Sequence, residues 1–258
     1  MLLAIDAGNT NVTFGVYDGG ALTGEWRTNT NAARTADEYA VWLHQLMALK
    51  QLTPDMIGGA IIATVVPKAL FDLRTLCRRY FNCDPLVVGE DGVELGIKNL
   101  ARRTREVGAD RLVNVVGAGG TYEKPFTIID FGTATTFDIA NDDGDYIGGI
   151  IAPGVNLSLQ ALHMASAQLP HIAVERPTKV IGDDTLSAMQ SGVYWGYISL
   201  IEGLMKRIEA EYGRAMTVVS TGGLAPLFVD GTDAIQHVDQ DITMRGLLEI
   251  ARRNGLAS

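Results

Sequence analysis

The chain has 258 residues, 47% of them hydrophobic, enough for a packed core in one large domain or two small ones, which excludes a disordered module. Its 30 acidic against 21 basic residues give a net charge of -9, which repels phosphate backbones and anionic membranes, so no nucleic-acid partner is expected. The two cysteines form no CxxC pair, Asp6 interrupts an N-terminus without a basic region, and no apolar stretch approaches the roughly 18 residues of a membrane span; the reading is a reduced, cytoplasmic protein outside the membrane.

In chain order, residues 2–5 read as a buried strand, 12–17 as its hairpin partner across Gly8-Asn9-Thr10, and 22–28 as a third strand after the Asp18-Gly19-Gly20 turn. Thr35 and Glu38 have capping-box spacing, and Tyr39, Trp42, Leu43, Leu46 and Met47 follow with helical periodicity. Residues 60–66 predict a strand ending at Pro67, then a helix through Leu70, Leu73, Leu76 and Cys77; 86–88 predict a strand, and a helix is expected to start near Gly108. A second meander follows at 126–130, 135–139 and 146–151, broken at Pro153-Gly154. Helices are expected at 155–164 and 185–212, a strand at 216–220, and helices at the C-terminus. The meander therefore occurs twice, giving two similar α/β halves, 1–118 and 119–258, with no low-complexity linker.

The chemistry-bearing residues fall on the turns. Asp6-Ala7-Gly8-Asn9-Thr10-Asn11 lies between hairpin strands, where glycine admits close backbone approach and Asn and Thr add donors, an arrangement able to hold phosphate oxygens. A ligand-free Asx-type turn accounts for the same residues, and Asp6 suits a water-mediated Mg²⁺ contact. Asp130-Phe131-Gly132-Thr133-Ala134-Thr135-Thr136 repeats the pattern; alone it would read as a bland hairpin, but one such turn per half favours two turns gripping one polyphosphate. Ser220-Thr221-Gly222-Gly223 either aims backbone N–H groups at a nucleotide or merely punctuates the chain. Asp110 and Arg111 stand side by side at a helix start, suited to accept a hydroxyl proton and to hold an anion; an acid favoured by the helix dipole beside a surface arginine is the plainer reading.

The stretches DAGNTN at 6–11, TVVP at 64–67, REVGADRLVN at 105–114, DFGTATTFD at 130–138, GGIIAPG at 148–154, AMQSG at 188–192 and TGG at 221–223 make nearly the whole chain resemble the type III pantothenate kinase family of the acetate and sugar kinase, Hsp70 and actin superfamily. The resemblance implies two actin-like (ribonuclease H-like) halves, each a mixed sheet flanked by helices. It implies ATP-dependent phosphorylation of the 4′-hydroxyl of pantothenate, the first step of coenzyme A biosynthesis. By it, Asp6, Ala7, Gly8, Asn9, Thr10, Asn11, Val12, Thr13 and Thr133 bind ATP, and Gly108, Ala109, Asp110, Arg111 and Thr185 bind pantothenate. Asp110 becomes the general base, and Asp130 holds a monovalent cation, K⁺ or NH₄⁺, beside Mg²⁺ with ATP. Two departures stand out: Asn99-Leu100-Ala101-Arg102-Arg103-Thr104 replaces an aromatic and Asn-Pro stretch, and Asp183-Asp184 precedes Thr185, where it can cap the long helix. Leu186, Met189, Val193, Tyr197, Leu200 and Leu204 form a helical stripe, either core or the seam of the homodimer typical of the family. The rival readings are a nonenzymatic regulatory member of the family and a partner-driven ATPase like actin or Hsp70.

Overall fold

The computed structural model describes residues 1–165 and 169–256. The first compact unit opens with β1 (Leu2–Ala7), β2 (Asn11–Asp18) and β3 (Ala21–Asn29), then α1 (Ala36–Leu49), β4 (Gly59–Thr64), α2 (Pro67–Tyr80), β5 (Leu86–Val87) and α3 (Ala109–Gly119). Its sheet runs β3-β2-β1-β4-β5, with β1 antiparallel to β2 and parallel to β4. The central strands are apolar at nearly every position because both faces are covered. Leu3, Ile5, Ala60 and Ile62 pack with Tyr39, Leu43 and Leu73 of α1 and α2, while Leu2, Ala4, Ile61 and Ala63 join a cluster with Val113 of α3.

Local chemistry sets the helix bounds. The Thr35 side chain accepts from Glu38 N at 3.3 Å and Glu38 returns a carboxylate to Thr35 N at 2.8 Å, the capping box read from the spacing. β4 stops at Thr64, short of the predicted Val66, because Val66 is already the N-cap of α2 and Pro67 its first residue.

The second unit contains β6 (Phe126–Phe131), β7 (Ala134–Ala140), β8 (Tyr146–Pro153), α4 (Val155–Ala165), α5 (Thr185–Tyr212), β9 (Thr217–Thr221), α6 (Ala225–Val229) and the unpredicted β10 (His237–Val238). Its sheet order, β10-β9-β6-β7-β8, reproduces the first: β6 is antiparallel to β7 and parallel to β9. The duplicated actin-like α/β architecture is thus present strand for strand. Ile129, Phe131, Phe137 and Ile139 of this sheet pack with Leu159 of α4 and Tyr194, Tyr197 and Ile201 of α5.

The last helix, α7 (Ile242–Arg253), corrects the expected division at 118/119. The units are Met1–Thr121 with Asp241–Ser258, and Tyr122–Gln240, so the C-terminal segment returns to the first unit. There α7 lies against α3 at glycines on both sides: a Cβ on Gly117 would come within 2.0 Å of Ile242 O, and one on Gly246 within 2.1 Å of Val113 O. Thr243 Oγ1 donates to Asn114 Oδ1 at 2.7 Å and Arg245 Nε to Gly117 O at 2.9 Å, while Leu247 and Ile250 are fully buried. No helix among the described residues is long and apolar enough to cross a membrane.

Candidate functional site

In the first unit the chain reverses between β1 and β2 through Gly8, Asn9 and Thr10, closed by Gly8 N donating to Asn11 O at 2.9 Å. Asn9 and Thr10 are exposed at the tip, while Asp6, Gly8, Asn11 and Thr13 are half-buried and Ala7 and Val12 are buried in the sheet. The backbone at Gly8 does not require glycine, and an added Cβ would meet only Asn11 O, at 3.5 Å. What the glycine leaves is an open approach to the backbone.

The start of α3 stands beside this turn. Val65, immediately after β4, donates its N–H to Ala7 O at 3.2 Å, and its Cγ1 lies 3.3 Å from the place of a Cβ on Gly108. Gly108 is the N-cap of α3 and offers no side-chain cap. Its own Cβ position lies 2.5 Å from Asp110 Oδ1, so the Asp110 carboxylate occupies the space a larger residue would need. Asp110 Oδ1 accepts from Arg111 N at 2.8 Å. Burial pushes the Asp110 carboxyl above the usual carboxylate range, against the lowering pull of the Arg111 N–H and guanidinium. A half-buried carboxylate with raised proton affinity at a helix start is suited to take a proton from a hydroxyl.

The stretch 99–104 forms a loop closed by Asn99, whose Nδ2 donates to Thr104 O at 3.0 Å and whose Oδ1 accepts from Ala101 N at 3.1 Å. Arg103 pairs with Glu106 at 2.9 Å with both side chains largely exposed, as a solvated charge run does.

In the second unit Asp130 pairs with Thr136 across the hairpin and with Thr221 on the parallel side. Gly132 N donates to Ala134 O at 3.0 Å, and Thr133 is exposed at the tip. Two glycines press on this turn. A Cβ on Gly154 would fall 2.1 Å from Thr133 O and 2.9 Å from Gly132 O, and one on Gly222, at φ +87°, would fall 2.6 Å from Asp130 Oδ1 and 2.7 Å from Phe131 O. The Asp130 carboxylate and the Phe131 carbonyl oxygen therefore both lie directly against Gly222.

Thr185 opens α5. Asp184 caps the helix, its side chain accepting from Ser187 N at 2.7 Å, so within the acidic pair the capping role falls to Asp184. Thr185 is exposed and lines a groove of about 810 Å³ with Pro153, Ser158, Met189, Gly192 and Tyr197. Pro153 precedes the glycine that packs on Thr133. Within each unit the predicted residues thus group: the first turn with Gly108, Ala109, Asp110 and Arg111, and Asp130 with Thr133.

The residues that sequence reasoning passed over are those that hold the turns. Gly154 reads as a breaker and Gly222 either as facing a nucleotide or as punctuation, Thr64 falls inside the predicted strand 60–66, and Thr30 lies just beyond the predicted strand 22–28. Gly222 precedes only the five-residue α6, so its clearest contribution is close packing against Asp130 and Phe131.

The type III pantothenate kinase family model matches residues 2–207. A type III pantothenate kinase of Rhodospirillum rubrum is 63% identical over 254 residues, covering 98% of this chain and 99% of the relative. The protein of the same name from Paramagnetospirillum magneticum is 60% identical over 254 residues, covering 98% of both chains. Among solved structures, the activator of 2-hydroxyisocaproyl-CoA dehydratase from Clostridium difficile with bound ADPNP superposes with a TM-score of 0.56 at 12% identity, covering 97% of this chain and 92% of that one, a likeness of fold. With a family model spanning most of the chain and relatives this similar from end to end, the chain belongs to the type III pantothenate kinase family.

Proposed function

We propose that this chain transfers the γ-phosphoryl group of ATP to the 4′-hydroxyl of pantothenate, forming 4′-phosphopantothenate and ADP as the first step toward coenzyme A. The observation that carries the reading is the placement of Asp110: a half-buried carboxylate of raised proton affinity, on a helix start that packs through Val65 against the Asp6 to Thr13 turn. In the proposed step Asp110 accepts the hydroxyl proton, the freed oxygen forms its bond to the γ-phosphorus, and the bond from that phosphorus to the β,γ-bridging oxygen breaks, releasing ADP. Arg111, with Gly108, Ala109 and Thr185, fixes the pantothenate carboxylate and chain, so that the hydroxyl meets the base in register.

The first turn and Thr133 hold the nucleotide in this reading, and Asp6 would help hold the Mg²⁺ that offsets phosphate charge. Asp130 and the Phe131 carbonyl would hold K⁺ or NH₄⁺, which offsets negative charge gathered on the phosphates. The reaction is placed in the cytoplasm. A homodimer seam is proposed along α4 and α5, where Leu162 and Leu186 are exposed and the Cβ positions of Gly192 and Gly196 meet nothing within 4 Å.

The test is pantothenate-dependent ADP release by purified protein with Mg²⁺, in potassium and in sodium salts, with the product identified by mass. Phosphopantothenate formed with K⁺ or NH₄⁺ and not with Na⁺ supports both substrate and cation site. Nucleotide binding without transfer would favour a regulatory member of the family, and ATP turnover indifferent to pantothenate a partner-driven ATPase.

A further inference from the structure

A hairpin turn that receives phosphate must aim N–H groups at the ligand, and any carbonyl on that side repels it. Because the peptide unit is planar and trans, the direction of each C=O fixes its N–H the opposite way. The question is therefore what holds the carbonyls of the first turn. Ala7 O accepts from Val65 N and from Thr64 Oγ1, each at 3.2 Å, and Asn11 O accepts from Gly8 N at 2.9 Å. Two of the three carbonyls at the bend, Gly8 O and Thr10 O, are met by one residue. Thr30 Oγ1 donates to Gly8 O at 2.6 Å and Thr30 N donates to Thr10 O at 2.9 Å.

Thr30 has no part in the family resemblance and lies 22 residues from Gly8. It reaches the turn because Asn11 pairs with Asn29 at the end of β3, which puts the next residue level with the bend. We infer that Thr30 is a positioning residue for the nucleotide: it draws the Gly8 and Thr10 carbonyls back into the protein and so aims the N–H groups of Asn9 and Asn11 outward before ligand arrives. The inference rests on the reading of the Asp6 to Thr13 turn as the ATP site and adds a residue that holds it preorganised. The hydroxyl is the discriminating part, since a valine keeps the shape and the N–H bond to Thr10 while leaving Gly8 O without its short partner.

The strand that leads to Thr30 supplies a control. Thr23 Oγ1 donates to Val16 O at 2.8 Å, a hydroxyl-to-carbonyl bond between β3 and β2 at the end remote from the turn. The experiment compares Thr30→Val, Thr30→Ser and Thr23→Val in the full chain by calorimetric binding of Mg·ATP, by KM for ATP and for pantothenate, and by thermal melting. Thr30→Val should weaken ATP binding and raise KM for ATP roughly fivefold to tenfold, the scale of one lost hydrogen bond. KM for pantothenate should stay unchanged, melting should match that of Thr23→Val, and Thr30→Ser should stay within about twofold of the parent.

Unchanged ATP binding in Thr30→Val, or an equal loss in Thr23→Val, would overturn the inference, because the hydroxyl would then serve only the sheet. If Thr30→Val does not fold, Thr30→Ala is judged by the same criteria. A parent protein that binds ATP but phosphorylates no pantothenate would sink the proposed reaction and leave the binding comparison to decide on Thr30. A parent protein that binds no nucleotide would overturn both.

Discussion

The two units carry the same turn, an apolar strand ending in an acid, a glycine and a hydroxyl before the returning strand, yet different contacts press on it in each. In the first unit the carbonyls are tied down by hydrogen bonds from Thr30, Thr64 and Val65, and the glycine at the bend has room around it. In the second, Gly154 and Gly222 lie so close to the backbone of residues 130–133 that no side chain fits between. A hydrogen bond is worth about 1 kcal/mol and can be weakened in steps; a backbone contact too close for a Cβ admits no intermediate. The first turn should therefore respond to mutation gradually and the second abruptly.

The largest expected effect lies outside both turns and locates the chemistry in the first unit. Asp110→Asn should lower kcat by about 10² to 10⁴, the range of general-base catalysis, with ATP binding kept; near-normal turnover in stopped assays would remove Asp110 as the base. The same variant carries a stability sign. Since the folded protein holds a proton on Asp110 more tightly than the unfolded chain does, the carboxylate form opposes folding above the unfolded pKa, and this cost fades as pH falls through the raised value. Asp110→Asn should thus melt no lower than the parent at neutral pH, whereas kcat of the parent should fall with pH at a point above the ordinary carboxylate range.

Next in size is Gly154→Ala. Its Cβ would face the backbone carbonyl of Thr133 at 2.1 Å, and no flexible side chain is there to give way. A loss of about 1–3 kcal/mol, read by denaturant titration, should accompany a raised KM for ATP. Gly222→Ala should cost a comparable amount: the Asp130 carboxylate can turn aside, but the Phe131 backbone, its O at 2.7 Å and its C at 2.8 Å from the new Cβ, cannot. It also bears the cost of φ +87°, about 1–2 kcal/mol, and if Asp130 holds the proposed cation, its distinctive readout is a rise in the potassium concentration for half-maximal activity. An unchanged potassium requirement would separate Asp130 from the cation.

How much of this was legible follows the range of each interaction. The bounds of α5, 185–212, were readable because both ends carry local signals, the Asp184 cap and Gly213 in the left-handed region at φ +95°. The duplicated meander was readable because its turns and strand patterns are contiguous in sequence. The destination of α7 was not, since the apolar stripe of Ile242, Leu247 and Ile250 fits any sheet face, and the partner is chosen by Gly117 and Gly246 meeting across some 130 residues, as the separations of 129 and 128 in the neighbouring hydrogen bonds attest. Among the candidate site residues, acids and glycines announce themselves by type. A threonine at a strand end looks like β-propensity until the register of Asn11 with Asn29 is known.

The smallest expected effect tests whether the hydrogen-bonded turn is graded in the way proposed. Thr64 Oγ1 shares Ala7 O with Val65 N, so Thr64→Val leaves that carbonyl bonded. The hydroxyl also accepts from Val66 N at 3.0 Å, one of the donors at the start of α2 that lack a partner within the helix. Thr64→Val should therefore cost about 1 kcal/mol of stability through the orphaned Val66 N–H, while KM for ATP changes less than about twofold. Parallel melting and kinetic measurements check the split. A rise in KM as large as that expected for Thr30→Val would mean that the Ala7 carbonyl is not redundantly held, and that the turn behaves as one cooperative unit, closer to its counterpart in the second unit than its bonding pattern implies.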